Sequence, residues 1–407
     1  MKIVLIDREE WQKIGGIGVF TTRFYHYLKD LGHEVYILRF AKKRSKDNNI
    51  LHVPFYYAEP RGFVFLPSEK TLQIIRKYLT KIKPDIIYCA IGISPFDFFL
   101  PQLCHELKIP ITAVWHADFN QSLSSYQILV KSIFLAYLQF CKQLDLLHVF
   151  SDKLAQFYIN HGIKKERILV LPNGIDTKLY TPGDSAFGKR FGIKKGVLFL
   201  GRLTFQKNPR VLIKSFLSLN PPRDTKLVIV GGGDQEEELR GDFKDRRIIF
   251  TGAILDERRK LDIMRACQIF VLPSRFEGMP LALLEAMACG LACVTSDAGG
   301  NKELLSGVGI TIPTARLNQE LPAVLRILLE HSDIRDSLSK KAYLKVRKDF
   351  SQEIIFNRLI CALHDTAAAF PKIGPPPTPV LDFDKFITHK LRSIWKKTKQ
   401  LTSYLEI

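Results

Sequence analysis

Two acidic residues with seven residues between them occur in a run that otherwise has the composition of a protein core. Glu277 precedes Pro280, and Glu285 lies inside the apolar stretch Leu281–Ala288. Because proline suits the first position of a helix, we expect Glu277 in a loop and Glu285 in a buried helix. A buried carboxylate needs hydrogen-bond partners, and the hydroxyl groups of a sugar or a ribose could supply them. The alternative is that Glu285 pairs with an internal arginine or caps a neighbouring element.

Two cations lie in a loop of the second half of the chain. Arg202 and Lys207 belong to the segment Gly201–Pro209, which follows an apolar strand and precedes a helix. Ligands of open α/β sheets bind at the carboxyl ends of the strands. Arginine offers a fork of donors to phosphate oxygens and lysine offers a point charge, so this loop predicts a diphosphate site. The alternative is a solvated basic loop.

Two glycine clusters also follow predicted strands. Gly15–Gly18 precedes the first helix, and Gly231–Gly233 follows a strand of the second half. Glycine lets a backbone approach a ligand closely, and helix N-termini favour anions. The alternatives are a flexible loop for the first cluster and a tight turn for the second. Neither cluster completes G-x-G-x-x-G, because Thr21 and Glu236 stand at the third glycine positions, which disfavours a hydride-transferring dehydrogenase.

Composition and charge limit the classes of protein that fit. The chain has 407 residues, 46% of them hydrophobic, and a formal net charge of +19. This length favours two domains, and no apolar stretch approaches the roughly 20 residues of a transmembrane helix. The positive charge predicts an anionic partner, either a nucleotide or a membrane surface. Nucleic acid is disfavoured as a partner, because neither a basic-aromatic signature nor a recognition-helix motif accompanies the charge.

The cysteines and the first residues predict the compartment. The seven cysteines form no C-x-x-C pair, and most lie in apolar runs, which is typical of buried, reduced thiols. Lys2–Ile6 is followed at once by Asp7 and Arg8, so we expect no signal peptide. The expected location is the cytoplasm.

Short apolar runs alternate with helical stretches, which predicts α/β domains with parallel sheets. The turn-rich segments Pro172–Gly174 and Thr181–Asp184 mark a boundary near 175–192. We expect one Rossmann-like domain over 1–180 and a second over 190–370. The candidate strands are Lys2–Ile6, Glu34–Phe40, Asp85–Cys89, Ile111–Trp115, Leu144–Phe150 and Ile168–Leu171 in the first, and Gly196–Leu200, Lys226–Val230, Ile248–Thr251, Cys267–Leu272, Ala292–Thr295 and Gly309–Ile312 in the second, which helices near 316–331, 334–348 and 352–369 close.

Residues 371–407 are the third predicted segment, a proline-rich spacer followed by a basic tail. Asp382–Ile407 has apolar residues at nearly helical spacing with cations between them. Such a helix can lie in the interface of an anionic membrane. The alternative is that it docks on the N-terminal domain. The D-x-D run Asp382–Asp384 lies in this tail, and we expect no metal site there.

On these residues the chain resembles the retaining glycosyltransferases of the GT-B fold, the group 1 or GT4-like family. The resemblance covers about residues 1–370 and is most specific in the second half. It implies an α/β GT-B fold, with two Rossmann-like domains facing each other across a cleft and a C-terminal helical extension. The motifs that carry it are Gly201-Arg202 through Lys207, Gly231-Gly232-Gly233, Pro273-Ser274 through Gly290, and Gly299-Gly300-Asn301-Lys302-Glu303, with weaker support from Pro172–Asp176 and the early glycine-rich loop.

The resemblance also implies roles for single residues. Arg202 and Lys207 would bind the donor diphosphate, Glu285 would bind the ribose hydroxyls, and Glu277 would contact the donor sugar. His116 would reach that sugar from the N-terminal domain, with a structural role at a strand end as the alternative. The predicted catalytic residues are therefore Glu277, His116, Arg202 and Lys207, and the predicted donor-binding residues are Gly15, Gly16, Gly18, Arg202, Lys207, Glu277, Gly278, Met279, Leu281 and Glu285.

The activity implied by the resemblance is transfer of a hexose from a nucleotide-diphosphate sugar to an acceptor hydroxyl with retention of anomeric configuration. The pathway expected is synthesis of a cell-surface polysaccharide, a lipopolysaccharide or a glycolipid. The acceptor would be a saccharide or a lipid-linked molecule, and neither a metal nor another cofactor is expected. The location would be cytoplasmic, at the inner face of the cytoplasmic membrane if the tail binds lipid. Two alternatives are a non-catalytic nucleotide-sugar-binding scaffold and a GT-B nucleotide-sugar epimerase.

Overall fold

A computed structural model describes residues 1–8, 16–40, 47–53, 56–57, 65–66, 69–91, 96–114 and 137–373. The strands are β1 Lys2–Arg8, β2 Glu34–Phe40, β3 Ile50–Val53, β4 Tyr56–Tyr57, β5 Phe65–Leu66, β6 Ile86–Ala90, β7 Ile111–Val114, β8 Leu146–Val149, β9 Ile168–Val170, β10 Lys195–Leu200, β11 Thr225–Val230, β12 Ile248–Gly252, β13 Ile269–Leu272, β14 Ala292–Ser296 and β15 Ile310–Ile312. The α-helices discussed below are α1 Gly16–Asp30, α2 Glu69–Ile82, α3 Phe96–Glu106, α4 Asp152–Asn160, α5 Ala186–Phe191, α6 Pro209–Ser218, α7 Glu236–Asp242, α8 Glu257–Arg265, α9 Leu281–Ala288, α10 Asn301–Leu305, α11 Leu317–Glu330, α12 Ser332–Asp349 and α13 Gln352–Ile373.

The first domain contains a seven-stranded parallel sheet in the order β3-β2-β1-β6-β7-β8-β9. Ile3 of β1 pairs with Val35 on one side and with Ile86 on the other, so the chain order reverses at β1. Strands β6, β7 and β8 are buried along their whole length, as expected for a parallel sheet that is covered on both faces. The sequence missed the edge strand β3, because it has only four residues, these adjoin polar ones, and three of the four are only partly buried.

The second domain contains a six-stranded parallel sheet in the order β12-β11-β10-β13-β14-β15. Strand β10 lies between β11 and β13, so the chain order reverses here as well. Ligands of such sheets bind outside the carboxyl ends of the strands at the reversal. The loops that follow β10 and β13 meet at this point, and they carry the predicted diphosphate cations and Glu277. The predicted architecture of two Rossmann-like α/β domains is confirmed.

The last described helix, α13, packs on the first domain, although the sequence grouped it with the second. Phe356 lies 4.9 Å from Phe24 between ring centroids, and Leu359 and Leu363 join the same apolar cluster. The apolar face of α13 therefore completes the core beside α1. Its grouping with 190–370 is corrected, because sequence adjacency to α12 did not reveal which domain the face would cover.

The two segments that cross between the domains lie side by side. Ile175 N donates to Phe350 O at 2.9 Å, and Gln352 N donates to Ile175 O at 2.8 Å. A Cβ atom on Gly174 would stand 2.8 Å from Gln352 Cα, so only glycine fits this close approach. Pro172–Gly174, which the sequence predicted as a turn near the domain boundary, is thus part of the paired crossing.

His148 in β8 is fully buried in the first domain. Its Nε2–H donates to Leu171 O at 2.7 Å, so Nδ1 accepts from the Tyr88 hydroxyl at 2.8 Å. Burial lowers the pKa of His148 to about 4, against a smaller opposing effect of the bond to Leu171. An unperturbed histidine titrates near pH 6.5, so the unfolded chain takes up this proton first as the pH falls.

Stability is therefore expected to be lost as the pH falls from about 6.5 toward about 4. One pKa unit corresponds to roughly 1.4 kcal/mol. His148 should therefore account for roughly 2–3 kcal/mol of the difference in unfolding free energy between pH 7.5 and pH 4.5. Urea unfolding of wild type and His148→Gln at both pH values measures this share, and His161→Gln, at an exposed histidine, is the control. An equal pH dependence in wild type and His148→Gln would contradict the prediction.

Candidate active site at the junction of the two domains

The helix α9 carries one of the two predicted carboxylates, and the loop before it carries the other. The prediction placed Pro280 at the first position of the helix. In the structure Pro280 is the N-cap of α9, and the helix begins at Leu281. Residues 283–288 are all buried, as the continuous apolar composition predicted. Glu277 lies in the loop and Glu285 in the helix, and both are buried, so this part of the prediction is confirmed.

Lys207 and Glu277 form a close ion pair. The Lys207 ammonium lies 2.6 Å from Glu277 Oε1 and 2.8 Å from Oε2. The lysine side chain is 16% exposed and the carboxylate side chain 5% exposed. Because both oxygens accept from a single ammonium in a largely dry site, the carboxylate is held rigidly. The structure thus brings together two of the predicted site residues from separate loops.

Arg202 occupies the same loop as Lys207 but remains exposed. Its Nη2 donates to Gln206 Oε1 at 3.3 Å. Gln206 in turn donates from Nε2 to Phe276 O at 3.1 Å, and its own carbonyl accepts from Arg275 N at 2.8 Å. The loop after β10 is therefore tied to the loop after β13 through Gln206. Arg202 extends from this fixed backbone with donors available to an anion.

The turn Gly231–Gly233 packs directly against the backbone of the Arg202 loop. Leu203 N donates to Gly232 O at 2.9 Å, and Gln235 N donates to Leu203 O at 3.0 Å. A Cβ atom would stand 1.8 Å from Gly201 O at Gly231 and 2.3 Å from Leu203 O at Gly233. The glycines are therefore required by backbone packing, which is the tight-turn alternative stated above.

Glu285 pairs with internal cations, which was one of the two interpretations that the sequence left open, and these contacts use one of its carboxylate oxygens. Its Oε1 accepts from Lys260 Nζ at 3.0 Å and from Arg23 Nη2 at 3.3 Å. The Tyr180 hydroxyl lies 3.1 Å from the same oxygen and also contacts Glu257. Burial, reinforced by the charge of Glu285, raises the pKa of Tyr180, which keeps this hydroxyl protonated.

Sequence reasoning missed the three partners of Glu285 and also Glu257, the second carboxylate that these partners contact. Arg23 belongs to α1 of the first domain, Tyr180 to the crossing segment, and Glu257 and Lys260 to α8. Glu257 and Lys260 are three residues apart on one face of α8, and this spacing is a local sequence signal that the two form an ion pair. Arg23 lies 262 residues from Glu285 in the chain, and no periodicity connects them.

Asn173 was also missed as a site residue, although its turn was recognised. Its Nδ2 donates to Met279 O at 2.9 Å, and its backbone N–H points at Met279 Sδ at 3.0 Å. The side chain is 3% exposed. Asn173 therefore fixes, from the first domain, the loop that joins Glu277 to α9. Gly278, Met279 and Leu281, predicted to bind the donor, all lie along this loop and the first turn of α9.

The predicted residues of the first domain are only partly described. His116 and Gly15 lie outside the described residues. Gly16 and Gly18 are in the first turn of α1, and Gly18 is buried. The proposed tail helix and the run Asp382–Asp384 also lie outside the described part of the chain.

The described residues show neither a metal-binding cluster nor a membrane-spanning helix. In those residues, no group of three or more His, Cys, Asp and Glu side chains is placed to hold a metal ion. None of the described helices is long and apolar enough to cross a membrane. The expectation of a metal-free reaction stays a prediction.

Models of two glycosyltransferase families match successive parts of the chain. The model described as "Glycosyltransferase Family 4" matches residues 14–179, and the one described as "Glycosyl transferases group 1" matches residues 194–331. The chain belongs to the group 1, GT4-like glycosyltransferases. The two matches fall on the two Rossmann-like domains, and residues 180–193 lie between them.

Two relatives of this glycosyltransferase have names that specify diphospho-undecaprenol substrates. It is 29% identical to the N,N'-diacetylbacillosaminyl-diphospho-undecaprenol α-1,3-N-acetylgalactosaminyltransferase of Campylobacter jejuni, over 81% of this chain and 93% of the relative. It is 31% identical to the UDP-Gal:α-D-GlcNAc-diphosphoundecaprenol α-1,3-galactosyltransferase of Escherichia coli, over 46% of this chain and only 51% of that enzyme.

Solved structures confirm the GT-B fold of this glycosyltransferase. Anabaena HepE in complex with UDP-glucose superposes with a TM-score of 0.73 at 20% identity, over 90% of this chain and all of that one. Sucrose-phosphate synthase from Thermosynechococcus elongatus superposes with a TM-score of 0.72 at 19% identity, over 91% of this chain and all of that one. The predicted fold of two facing Rossmann-like domains is thereby confirmed.

Proposed function

We propose that this glycosyltransferase moves a hexose from a nucleoside-diphosphate sugar to an acceptor hydroxyl with retention of anomeric configuration. The observation that carries the proposal is the Lys207–Glu277 pair, at 2.6 and 2.8 Å, at the carboxyl ends of the neighbouring strands β10 and β13. A cation and an acceptor group lie together where this class of sheet binds its ligands. Such a pair suits a ligand that has a diphosphate beside sugar hydroxyls.

Arg202 and Lys207 are the proposed anchors of the diphosphate. Negative charge develops on the departing diphosphate in the transition state, and fixed cations in a dry site stabilise it. Arg202 has a forked set of donors at an exposed position of the loop, whereas Lys207 is half-buried beneath it. Charge stabilisation of the leaving group by these two residues needs no metal ion.

Glu277 is proposed to hold the donor sugar by accepting hydrogen bonds from its hydroxyl groups. A covalent role is less favoured, because Lys207 occupies both carboxylate oxygens and reduces their nucleophilicity. The acceptor hydroxyl instead attacks the anomeric carbon from the side of the leaving group. The bond to the diphosphate breaks, and a diphosphate oxygen takes the acceptor proton. Because attack and departure occur on the same face of the sugar, the anomeric configuration is retained.

A lipid-linked saccharide is the proposed acceptor. The support is the pair of relatives whose names specify diphospho-undecaprenol substrates. The net charge of +19 is also compatible with work at an anionic membrane surface, where peripheral binding remains a proposal.

Thermal-shift measurement with UDP-, GDP- and ADP-sugars tests the donor class. One of the three is expected to raise the melting temperature of wild type, and Arg202→Ala should lose most of that shift and at least about tenfold in transfer rate, since a charged phosphate contact is removed. Lys226→Ala, at a cation on β11 that bonds Arg246 O away from the site, is the control and should behave as wild type.

Three other outcomes are informative in the same assays. A normal shift and wild-type transfer by Arg202→Ala would count against the diphosphate assignment. Nucleotide binding without transfer to any acceptor would favour the scaffold alternative. Transfer that EDTA abolishes and Mn²⁺ restores would contradict the proposed metal-free mechanism.

A further inference from the structure

Glu285, whose side chain is 4% exposed, belongs to a cluster of four charged residues that spans both domains and in which Glu257, at 39%, is the most exposed. Arg23 comes from α1 of the first domain, whereas Glu257, Lys260 and Glu285 come from α8 and α9 of the second. Arg23 Nη2 lies 3.1 Å from Glu257 Oε2 and 3.3 Å from Glu285 Oε1. Lys260 Nζ lies 2.9 Å from Glu257 Oε1 and 3.0 Å from Glu285 Oε1. Two cations therefore balance two carboxylates.

Tyr180 lies at the centre of this cluster. Its ring faces both cations, with the Arg23 guanidinium carbon 5.6 Å and the Lys260 ammonium 5.3 Å from the ring centroid. Its hydroxyl lies between Glu257 and Glu285 and has only one proton to donate. The two cations are thus the main donors to Glu285, and the ring of Tyr180 packs against both of them.

The bonds to Glu285 are unevenly shared between its two oxygens. Arg23, Lys260 and Tyr180 all contact Oε1. Oε2 accepts no hydrogen bond from the described part of the chain. The carboxylate is 4% exposed, so its free oxygen has few possible partners other than a bound molecule.

Arg23 remains charged in this position. Burial disfavours its charge, but the attraction of Glu285, Tyr180 and Glu257 outweighs burial and raises the pKa of Arg23. Its guanidinium is the charge in the cluster that comes from the first domain. Its contact with Glu285 therefore exists only while the two domains are together.

We propose that Arg23 is a positioning residue that acts across the domain junction: it fixes Oε1 of Glu285 so that Oε2 faces the ribose hydroxyls of the donor. The inference depends on the proposed function and on the ribose-binding role that the family resemblance implies for Glu285. Without Arg23 the cluster has two carboxylates and one cation, so Glu285 moves toward Lys260 and Oε2 loses its fixed direction. Donor binding and approach of the domains are then coupled through one guanidinium.

The test is titration of UDP, GDP, ADP and inorganic pyrophosphate into full-length wild type, Arg23→Ala, Arg23→Lys and Arg247→Ala. Pyrophosphate has no ribose, so it reports the diphosphate contacts alone. Arg23→Ala is expected to bind the preferred nucleoside diphosphate about tenfold or more weakly, in line with loss of a charged hydrogen bond, and to bind pyrophosphate as wild type does. Arg23→Lys keeps the charge and should recover part of the affinity. Arg247→Ala removes an arginine that pairs with Asp245 away from the junction and should match wild type with every probe.

Two results would overturn the positioning role: wild-type nucleotide affinity in Arg23→Ala, or an equal loss for nucleotide and pyrophosphate, which would indicate general damage to the site. Lys207→Met separates this failure from failure of the proposed function. If Lys207→Met weakens binding of nucleotide and pyrophosphate while Arg23→Ala weakens neither, the donor site stands and the role of Arg23 does not. If Lys207→Met weakens neither, or wild type binds none of the probes, the donor site itself is wrong and the inference falls with it.

Discussion

Replacing Lys207 with methionine is expected to reduce glycosyl transfer by about 100-fold to 1,000-fold, the range seen when one fixed transition-state contact is removed. Lys207 is proposed to contact the leaving diphosphate, and it also holds both oxygens of Glu277 at 2.6 and 2.8 Å. The substitution keeps the length of the side chain and removes the charge. Steady-state transfer rates at saturating donor measure the effect, and a rate within about threefold of wild type would refute the assignment.

The same variant should also be less stable, for a separate reason. Without the ammonium, the Glu277 carboxylate is left buried and unpaired, which typically costs about 3–5 kcal/mol. The double variant Lys207→Met/Glu277→Gln removes both charges and should recover most of the lost unfolding free energy while transfer stays abolished. Recovery of stability without recovery of activity separates the chemical role of Lys207 from its structural role.

Replacing Gly299 with alanine is expected to abolish most of the transfer activity without touching any proposed ligand contact. The backbone of Gly299 has φ +56°, and a Cβ atom there would stand 1.9 Å from Glu277 O. The backbone at Gly299 or at Glu277 must shift to relieve this clash, and the shift moves Glu277. Because a displacement of about 1 Å can cost on the order of 100-fold in rate, we expect a loss of at least that size, measured as transfer rate at saturating donor.

Gly307→Ala is the matched control for this substitution. Gly307 has a similar backbone, at φ +75°, but a Cβ atom there would meet no neighbour in the described structure within 4 Å. It should show only the backbone strain of a left-handed residue, about 1–2 kcal/mol in unfolding free energy, with normal turnover. Equal effects of the two substitutions on the transfer rate would show that the contact with Glu277 is unimportant.

The parts of the fold and site that local pattern determines could be predicted from the sequence. The apolar runs gave the strands of both sheets except the edge strand β3, since buried parallel strands are continuously apolar. The position of Glu277 before Pro280 and of Glu285 within α9 followed from helix chemistry. The family resemblance placed Lys207 and Glu277 at one donor site, and the structure shows them in contact.

The parts that long-range packing determines could not be predicted. Arg23 has ordinary neighbours in an amphipathic helix, and nothing local distinguishes it from a solvated arginine. Its contact with Glu285 depends on the relative position of two domains, which hydrophobic periodicity does not encode. Likewise the apolar face of α13 indicated burial, but not the domain that would cover it.

The return of α13 to the first domain has a consequence for biosynthesis. Phe20 and Phe24 emerge from the ribosome before the second domain, whereas Phe356, which packs on both, emerges after that domain. Domains that are continuous in sequence can complete their cores in the order of translation. Here the core of the first domain is completed by a helix that follows the second domain in the chain, so its apolar surface beside α1 stays uncovered, and available to chaperones, until α13 has emerged.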